Sequence, residues 1–297
     1  MAPSKELDTV LDMIRKRSAE VRKTTDDDRL SYERIMSVLP MDDDIQTDRV
    51  GVNGVPAEWI WAPESQEDRV ILYLHGGGYL FGSARTHRVM LAHLARAAKA
   101  RVLALDYRLA PEIPFPAPVE DSVSAYQWLL SKGIAPEKMA FGGDSAGGGL
   151  VIAALVALRS VGEPMPAAGV CISAWTDMES TGTSMTTNAE TDPSVSKERL
   201  LRIAKVYLDG KDPRAPLASP IHADLTGLPP LLLQVGSIEV LLDDSTLLKT
   251  RANEAGVPVE MEVWEDMPHV WHHYAPILPE ARKAIGKIGD FVLQHTR

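Results

Sequence analysis

The pentapeptide G-D-S-A-G, residues 143–147, is the feature that most constrains how this chain can fold. It lies between a short apolar segment, residues 139–141, and an apolar stretch, residues 150–158, that is typical of a buried helix. A serine between glycines at such a junction predicts a sharp strand-to-helix turn that lifts the Ser145 hydroxyl above the end of a sheet. The alternative is a glycine-rich turn that happens to contain a serine, because G-x-S-x-G also occurs by chance.

Apolar segments of strand length alternate with helix-length segments from residue 69 onward. Near-continuous apolar strands joined by helices are typical of a parallel sheet that is covered on both faces, so we expect one α/β domain. Residues 49–61 predict a hairpin that turns at Asn53 and Gly54. Residues 175–230 interrupt the alternation with a polar loop and one helix, and are expected to form a lid over the C-terminal edge of the sheet.

Two amphipathic helices are predicted ahead of the first strand, the second at about residues 29–39. The apolar face of the first helix contains Leu7, Val10, Leu11, Ile14 and Val21. Because both helices precede the sheet, we expect them to pack with the lid. The predicted division is N-terminal cap helices in residues 1–45, a core in residues 46–180 and 221–297, and a cap insertion in residues 181–220.

Composition excludes several classes of protein. A net charge of −10 without a basic run argues against a nucleic-acid partner. The single cysteine, Cys171, cannot form an intrachain disulfide, and its apolar neighbours predict burial. Without a signal-peptide core or an apolar run long enough to span a bilayer, the chain is expected to be cytoplasmic, with no membrane partner. No metal-binding spacing or nucleotide-binding glycine motif is present, so neither metal nor cofactor is predicted.

A serine hydroxyl attacks a carbonyl near neutral pH only if a base, commonly histidine, takes its proton. On this type of fold the serine, the acid and the histidine follow in that order. The histidines beyond the strand expected to carry the acid are His269, His272, His273 and His295. His269 lies in the loop just past the C-terminal end of the last predicted strand, where its side chain could reach Ser145. It is our candidate base. We interpret His272 and His273 as surface or lid-contact residues.

Three carboxylates follow the predicted strand at residues 231–235, namely Glu239, Asp243 and Asp244. Glu239 lies in the loop just past the strand, as the third member of such a triad should. Asp243 and Asp244 fit the cap or first turn of the next helix, where negative charge is favourable without any catalytic purpose. The sequence favours Glu239 as the acid, with Asp243 as the alternative.

The H-G-G-G segment, residues 75–78, ends another apolar strand. Glycines let the backbone turn N–H groups inward, where they could hold a developing oxyanion together with the N–H of Ala146. Aromatic and sulfur-containing side chains near the strand ends are expected to line a pocket or to belong to the core. These are Tyr79, Phe81, Trp175 and Met178.

Five segments together resemble the bacterial hormone-sensitive-lipase-like esterases of family IV. They are H-G-G-G (75–78), D-Y-R-L-A-P-E (106–112), G-D-S-A-G (143–147), E-x-L-x-D (239–243) and D-x-P-H (266–269). The resemblance extends from about residue 48 to the C-terminus. The residues before it fit by position alone, as the cap helices of that family.

The resemblance implies an α/β-hydrolase fold with a mostly parallel central sheet, helices on both faces and a helical cap. It implies a serine carboxylesterase that hydrolyses short- to medium-chain acyl esters through an acyl-enzyme, without a cofactor. Ser145 would be the nucleophile, His269 the base, and Gly77, Gly78 and Ala146 the oxyanion donors. The acid motif of the family, D-P-L-x-D-E, reads E-V-L-L-D-D here. This alignment supports Glu239 as the acid and leaves Asp243 as the alternative. A homodimer is also implied, with a small ester as the substrate.

Two other functions compete with this interpretation. The first is a non-catalytic small-molecule receptor on the same fold, but such proteins lack a working histidine at the position of His269. The second is a different acyl-transfer substrate, such as an amide, a lactone or a long-chain lipid. A long-chain lipase usually has an apolar lid, whereas the loop at residues 181–191 is polar.

Overall fold

A computed structural model of the chain describes residues 4–20, 24–36 and 38–296. The strands of the described residues form one sheet in the order β1-β2-β4-β3-β5-β6-β7-β8. They are β1 (Gln46–Val52), β2 (Val55–Trp61), β3 (Gln66–Leu74), β4 (Ala100–Leu105), β5 (Met139–Asp144), β6 (Ala168–Ile172), β7 (Leu231–Gly236) and β8 (Val259–Trp264). Strand β2 pairs antiparallel with β1 and β4, and every other pairing is parallel, which confirms the mostly parallel sheet.

The described helices flank this sheet and extend over its C-terminal edge. They are α1 (Lys5–Ser18), α2 (Thr25–Met36), α3 (Ala84–Ala98), α4 (Ala117–Ser131), α5 (Ala146–Ser160), α6 (Ser184–Thr187), α7 (Lys197–Leu208), α8 (Leu242–Glu254) and α9 (Pro279–His295). Short 3₁₀ turns occupy Pro136–Lys138, Pro220–His222 and Trp271–Tyr274. None of the helices described is long and apolar enough to cross a membrane.

The sheet separates two apolar cores. Successive side chains of a strand point to opposite faces, and in β3 Leu72 belongs to one core while Ile71 and Tyr73 belong to the other. The first core contains α4, α5, α7 and α8, and the second contains α1, α3 and α9. Cys171 is fully buried in the first core, as its apolar neighbours predicted.

The N-terminal helices form as predicted, with shifted bounds. Helix α1 buries Leu7, Val10 and Ile14, while Val21, predicted to lie on the same face, falls outside the described residues. Helix α2 begins at Thr25, before the predicted start, because acidic residues in its first turn favour the helix dipole. The division of the chain into core and cap segments stays a prediction.

One local prediction was wrong, and another was confirmed in part. The loop predicted at residues 181–191 contains the short helix α6, which has no apolar repeat in the sequence and forms because Ser184 and Met185 are buried against the core. The sequence offered the cap or the first turn of the next helix for Asp243 and Asp244, and the cap alternative is excluded because α8 begins at Leu242 with Leu241 at its N-cap position. Both carboxylates lie in its first turn, which confirms the other alternative.

Candidate active site

Ser145 occupies the turn between β5 and α5, at the C-terminal edge of a strand that lies inside the sheet. Its backbone is in a strained conformation, φ 54° and ψ −121°, that a serine adopts only when its surroundings hold it there. The N–H of Ser145 donates to the carbonyl of Ile172 (2.8 Å), and its own carbonyl accepts from the N–H of Trp175 (2.9 Å). The neighbouring strand β6 and the chain beyond it thus fix the turn.

The glycines on either side of this serine are required by close packing. A Cβ atom on Gly143 would lie 2.4 Å from the carbonyl oxygen of Gly147. A Cβ atom on Gly147 would lie 1.9 Å from the carbonyl oxygen of Leu74. Neither position admits a side chain, so the G-x-S-x-G spacing lets the start of α5 approach the end of β3.

His269 lies in the loop that follows β8. Its Nε2 atom is 2.9 Å from Oγ of Ser145, and its Nδ1 atom is 2.8 Å from Oε2 of Glu239. The ring is 13% exposed, so a substrate can approach it while the carboxylate behind it stays dry. The structure therefore brings together the side chains of Ser145, His269 and Glu239, which are far apart in the sequence.

Glu239 is fully buried in the loop between β7 and α8. Its Oε1 atom accepts hydrogen bonds from the N–H of Gly236 (2.6 Å) and the hydroxyl of Ser173 (2.7 Å), which leaves Oε2 directed at His269. The carboxylate of the alternative acid, Asp243, instead accepts from the N–H of Ser184 (2.9 Å). The contacts thus distinguish the two candidate acids, because the carboxylate of Glu239 contacts His269 whereas that of Asp243 contacts Ser184.

The surroundings of His269 shift its pKa in opposing directions. Burial alone would lower the pKa of the imidazole, but the hydrogen bond and the charge of Glu239 raise it, with further negative charge from Asp192 and Asp144. The net pKa lies above the ordinary value of histidine. This environment stabilises an imidazolium, which is the species that a base becomes after taking a proton.

The predicted oxyanion donors surround the same space. Gly77 and Gly78 follow β3 with φ angles of 119° and 62°, values that favour glycine. Among the described residues, none accepts a hydrogen bond from the N–H of either glycine. Ala146 is the first residue of α5, where a backbone N–H has no partner within the helix. Gly77 and Gly78 line one pocket together with Ser145 and His269.

A buried carboxylate that the sequence analysis did not single out supports the glycine loop, residues 75–78. Asp144 accepts hydrogen bonds from the N–H of Gly76 (3.0 Å) and the hydroxyl of Tyr73 (2.9 Å), and it lies 3.2 Å from Nε2 of His87. Burial would raise the pKa of Asp144, but His87 and its other partners lower it below the ordinary value. The signal was present, because the aspartate of the G-D-S-A-G motif directly precedes the serine.

Two clusters among the described residues bring enough ligand atoms together to hold a metal ion. In the one beside the glycine loop, the ligand atoms of His87, Asp144 and His273 lie within 4.8 Å of one another. All three are buried, and Asp144 is already engaged by Gly76 and Tyr73. Hydrogen bonds within the protein explain why these side chains lie together. The absence of a metal stays a prediction.

The pocket above Ser145 has a volume of about 890 Å³, counted with its open mouth. Helices α1, α2 and α7 supply much of its wall through Ile14, Tyr32, Met36, Leu200 and Ile203. Of the aromatic and sulfur-containing residues expected near it, Phe81 and Trp175 line the pocket. Tyr79 and Met178 belong to the core, where Tyr79 stacks on Tyr207 with ring centroids 3.8 Å apart.

His272 and His273 are not surface residues, so that part of the prediction was wrong. They are 0% and 5% exposed, and each ring has one hydrogen-bond partner inside the protein. Nε2 of His272 lies 2.7 Å from Oε1 of Gln234, and Nε2 of His273 lies 3.0 Å from the hydroxyl of Tyr32 on α2. The second contact is with an N-terminal helix, as a lid-contact residue would make.

Comparisons with known proteins agree with this architecture. The sequence pattern of the alpha/beta hydrolase fold family matches residues 71–273. An acetyl-hydrolase of Streptomyces hygroscopicus is 50% identical over 89% of this chain and 88% of its own length. An esterase of Acinetobacter venetianus is 34% identical over 87% of this chain and 86% of its own. The crystal structure of an esterase from the bacterial hormone-sensitive lipase family matches with a TM-score of 0.98 and 67% identity over the whole of both chains.

Proposed function

From the premise that this chain belongs to the bacterial hormone-sensitive-lipase family of α/β-hydrolase-fold carboxylic ester hydrolases, we propose that it is a serine carboxylesterase with Ser145 as its nucleophile. The observation that carries the proposal is the pair of contacts at His269, 2.9 Å to Ser145 and 2.8 Å to Glu239. A hydroxyl, an imidazole and a carboxylate in that order form the constellation that activates a serine.

In the proposed mechanism the Oγ atom of Ser145 attacks the ester carbonyl while Nε2 of His269 takes the hydroxyl proton. The carboxylate of Glu239 accepts the hydrogen bond from Nδ1 and stabilises the imidazolium. The imidazolium then gives its proton to the leaving alcohol oxygen, and the acyl group remains on Ser145. Water gives a proton to His269 as it attacks the acyl-enzyme, and the imidazolium returns that proton to Oγ of Ser145 as the carboxylic acid leaves.

The N–H groups of Gly77, Gly78 and Ala146 would stabilise the tetrahedral oxyanion. One donor of this kind typically contributes about 3–4 kcal/mol to the transition state. The start of α5 adds the favourable partial charge of a helix N-terminus on the same side.

We also propose a preference for short- to medium-chain acyl groups. The apolar side chains of α1, α2 and α7 at the pocket wall support a cap over the site, and such a wall limits the length of the acyl chain. Rates against p-nitrophenyl esters from acetate to palmitate test this. A rate that keeps rising toward palmitate would contradict it.

The proposed homodimer would form through β8. This strand is the last in the sheet order, and Val263 on it is 49% exposed. An edge strand with an exposed apolar residue is a ready surface for pairing. Light scattering of the purified protein and of Val263→Lys measures the oligomeric state, and a monomeric native protein would contradict the proposal.

Hydrolysis of p-nitrophenyl acetate by Ser145→Ala and His269→Ala tests the nucleophile and the base. We expect turnover to fall by roughly 10⁴–10⁶-fold in each variant, with the fold intact by circular dichroism. Ser131→Ala, an exposed serine at the end of α4, is the matched control and should keep full activity. Comparable activity in Ser145→Ala, or no activity in the native protein, would contradict the proposal, and the second outcome would favour a receptor.

A further inference from the structure

The loop that carries Glu239 is held in place by hydrogen bonds from a separate segment of the chain. We call residues 237–240, between β7 and α8, the acid loop, and residues 184–192, which begin with α6, the bracing segment. Loop carbonyls and N–H groups lack the partners that a helix or strand would give them, and buried ones need partners elsewhere. In the acid loop several of these partners are side chains of the bracing segment.

Asn188 makes the central contact. Its side-chain amide donates to the carbonyl of Ser237 (3.0 Å) and to the carbonyl of Glu239 itself (2.8 Å). Thr191 adds a longer hydrogen bond to the carbonyl of Ile238 (3.3 Å). One amide therefore fixes two carbonyls of the acid loop, one of them on the residue that faces His269.

Asp192 connects the acid loop to the wall of the substrate pocket. Its Oδ2 atom accepts from the N–H of Val240 (3.0 Å), while Oδ1 accepts from the N–H groups of Ser194 (2.9 Å) and Val195 (3.0 Å). Ser194 and Val195 line the pocket beside Ser145. The carboxylate of Asp192 is nearly buried, so these hydrogen bonds form away from bulk water.

Ser184 completes the contact at the other end of the bracing segment. Its hydroxyl donates to the carbonyl of Val240 (2.6 Å) and accepts from the N–H of Asp243 (3.0 Å), whose carboxylate accepts from the N–H of Ser184 (2.9 Å). Asp243, the alternative acid, is thus part of the same contact and secures the first turn of α8.

We propose that the bracing segment sets the position of Glu239 against His269, with Asn188 and Asp192 as positioning residues. The inference rests on the proposed function, because it requires Glu239 to be the acid of the triad. A glutamate has one more rotatable bond than an aspartate and needs more restraint to hold one geometry. A displacement of a catalytic group by about 1 Å can cost about 10²-fold in rate. The contacts that hold the acid loop in place therefore also sustain the rate of catalysis.

Charge gives Asp192 a second effect on the site. The charged groups that face His269 are Glu239 from the acid loop, Asp144 from the end of β5 and Asp192 from the bracing segment, and each raises the pKa of the imidazole. Removing the charge of Asp192 should therefore lower the pKa of His269. A purely structural role for Asp192 would not move this pKa.

The first experiment compares Asn188→Ala with Thr186→Ala, a control at an exposed position of the same segment. We expect kcat of Asn188→Ala to fall about 10–100-fold and its KM to stay within about twofold of the native value. A displaced acid reduces the stabilisation of the transition state and leaves substrate binding intact. Thr186→Ala should match the native enzyme. If Asn188→Ala does not fold, Asn188→Leu, which has a similar volume and no donor, is measured in its place. A native kcat in the folded variant would overturn the proposal.

The second experiment compares Asp192→Asn with Glu190→Gln. Both remove one negative charge from the bracing segment, but Glu190 is exposed, and the asparagine retains an oxygen that can accept from Val240. The acidic limb of kcat/KM should move to lower pH in Asp192→Asn and stay in place in Glu190→Gln. Equal shifts in the two variants would overturn the proposal. Loss of activity in Ser145→Ala with native kcat in Asn188→Ala would refute this inference alone and leave the proposed function standing.

Discussion

Nδ1 of His269 lies 2.8 Å from Oε2 of Glu239, and that carboxylate has no exposed surface. We therefore predict that Glu239→Gln lowers kcat by about 10⁴-fold, because an amide cannot stabilise the imidazolium and favours the wrong tautomer of the ring. Steady-state hydrolysis of p-nitrophenyl butyrate measures the change, with circular dichroism to check that the variant folds.

Asp243→Asn is the matched control, since it makes the same carboxylate-to-amide change at the alternative acid. Its carboxylate contacts Ser184, so we expect kcat to change by less than about tenfold. A larger loss in Asp243→Asn than in Glu239→Gln would reverse the assignment of the acid.

The raised pKa of His269 predicts the pH dependence of the reaction. Only the neutral imidazole can take the proton of Ser145, so kcat/KM should rise as pH increases through the pKa of His269 in the free enzyme. Because Glu239, Asp192 and Asp144 raise that pKa, the acidic limb should lie above the value of about 6.5 for an unperturbed histidine. Rates with a substrate that does not itself ionise give the limb directly, and a midpoint below the unperturbed value would contradict the prediction.

Much of the sheet could be predicted because its strands are apolar runs ended by turn residues. The hairpin predicted at residues 49–61 is formed by β1 and β2, and the strand predicted at residues 231–235 lies within β7. The order of the serine, acid and histidine motifs also predicted three residues that the structure brings together, Ser145, Glu239 and His269.

The contacts of the bracing segment could not be predicted in this way. Asn188 reaches Glu239 across 51 residues of sequence, and nothing in a polar stretch without apolar periodicity specifies such a partner. The burial of His272 was missed for a similar reason, because polar residues are mostly exposed unless a tertiary partner satisfies them. That partner, Gln234, lies on β7, whereas His272 lies in the 3₁₀ turn Trp271–Tyr274.

Close packing at the serine turn predicts an effect on stability. Gly147→Ala would place its methyl group 1.9 Å from the carbonyl oxygen of Leu74, a backbone atom that cannot move aside without disturbing β3. We expect a loss of roughly 1–3 kcal/mol or more in the free energy of unfolding, together with reduced activity.

Gly286→Ala in α9 is the control for this substitution. No heavy atom lies within 4 Å of a Cβ added there, and alanine in a helix is about 1 kcal/mol more favourable than glycine. Urea unfolding should show opposite signs for the two variants. A Gly147→Ala protein as stable and active as the native one would contradict the packing argument.

The buried histidines predict a loss of stability in acid. Burial lowers the pKa of His75 and of His272 to about 3, so the unfolded chain binds more protons than the native protein between about pH 6.5 and pH 3. The free energy of unfolding should therefore fall with pH across that window, by about 1.4 kcal/mol per pH unit for each histidine. Urea unfolding at a series of pH values should give a shallower slope for His272→Gln, whose amide can still donate to Gln234. Equal slopes in the native protein and His272→Gln would show that His272 does not couple folding to protonation.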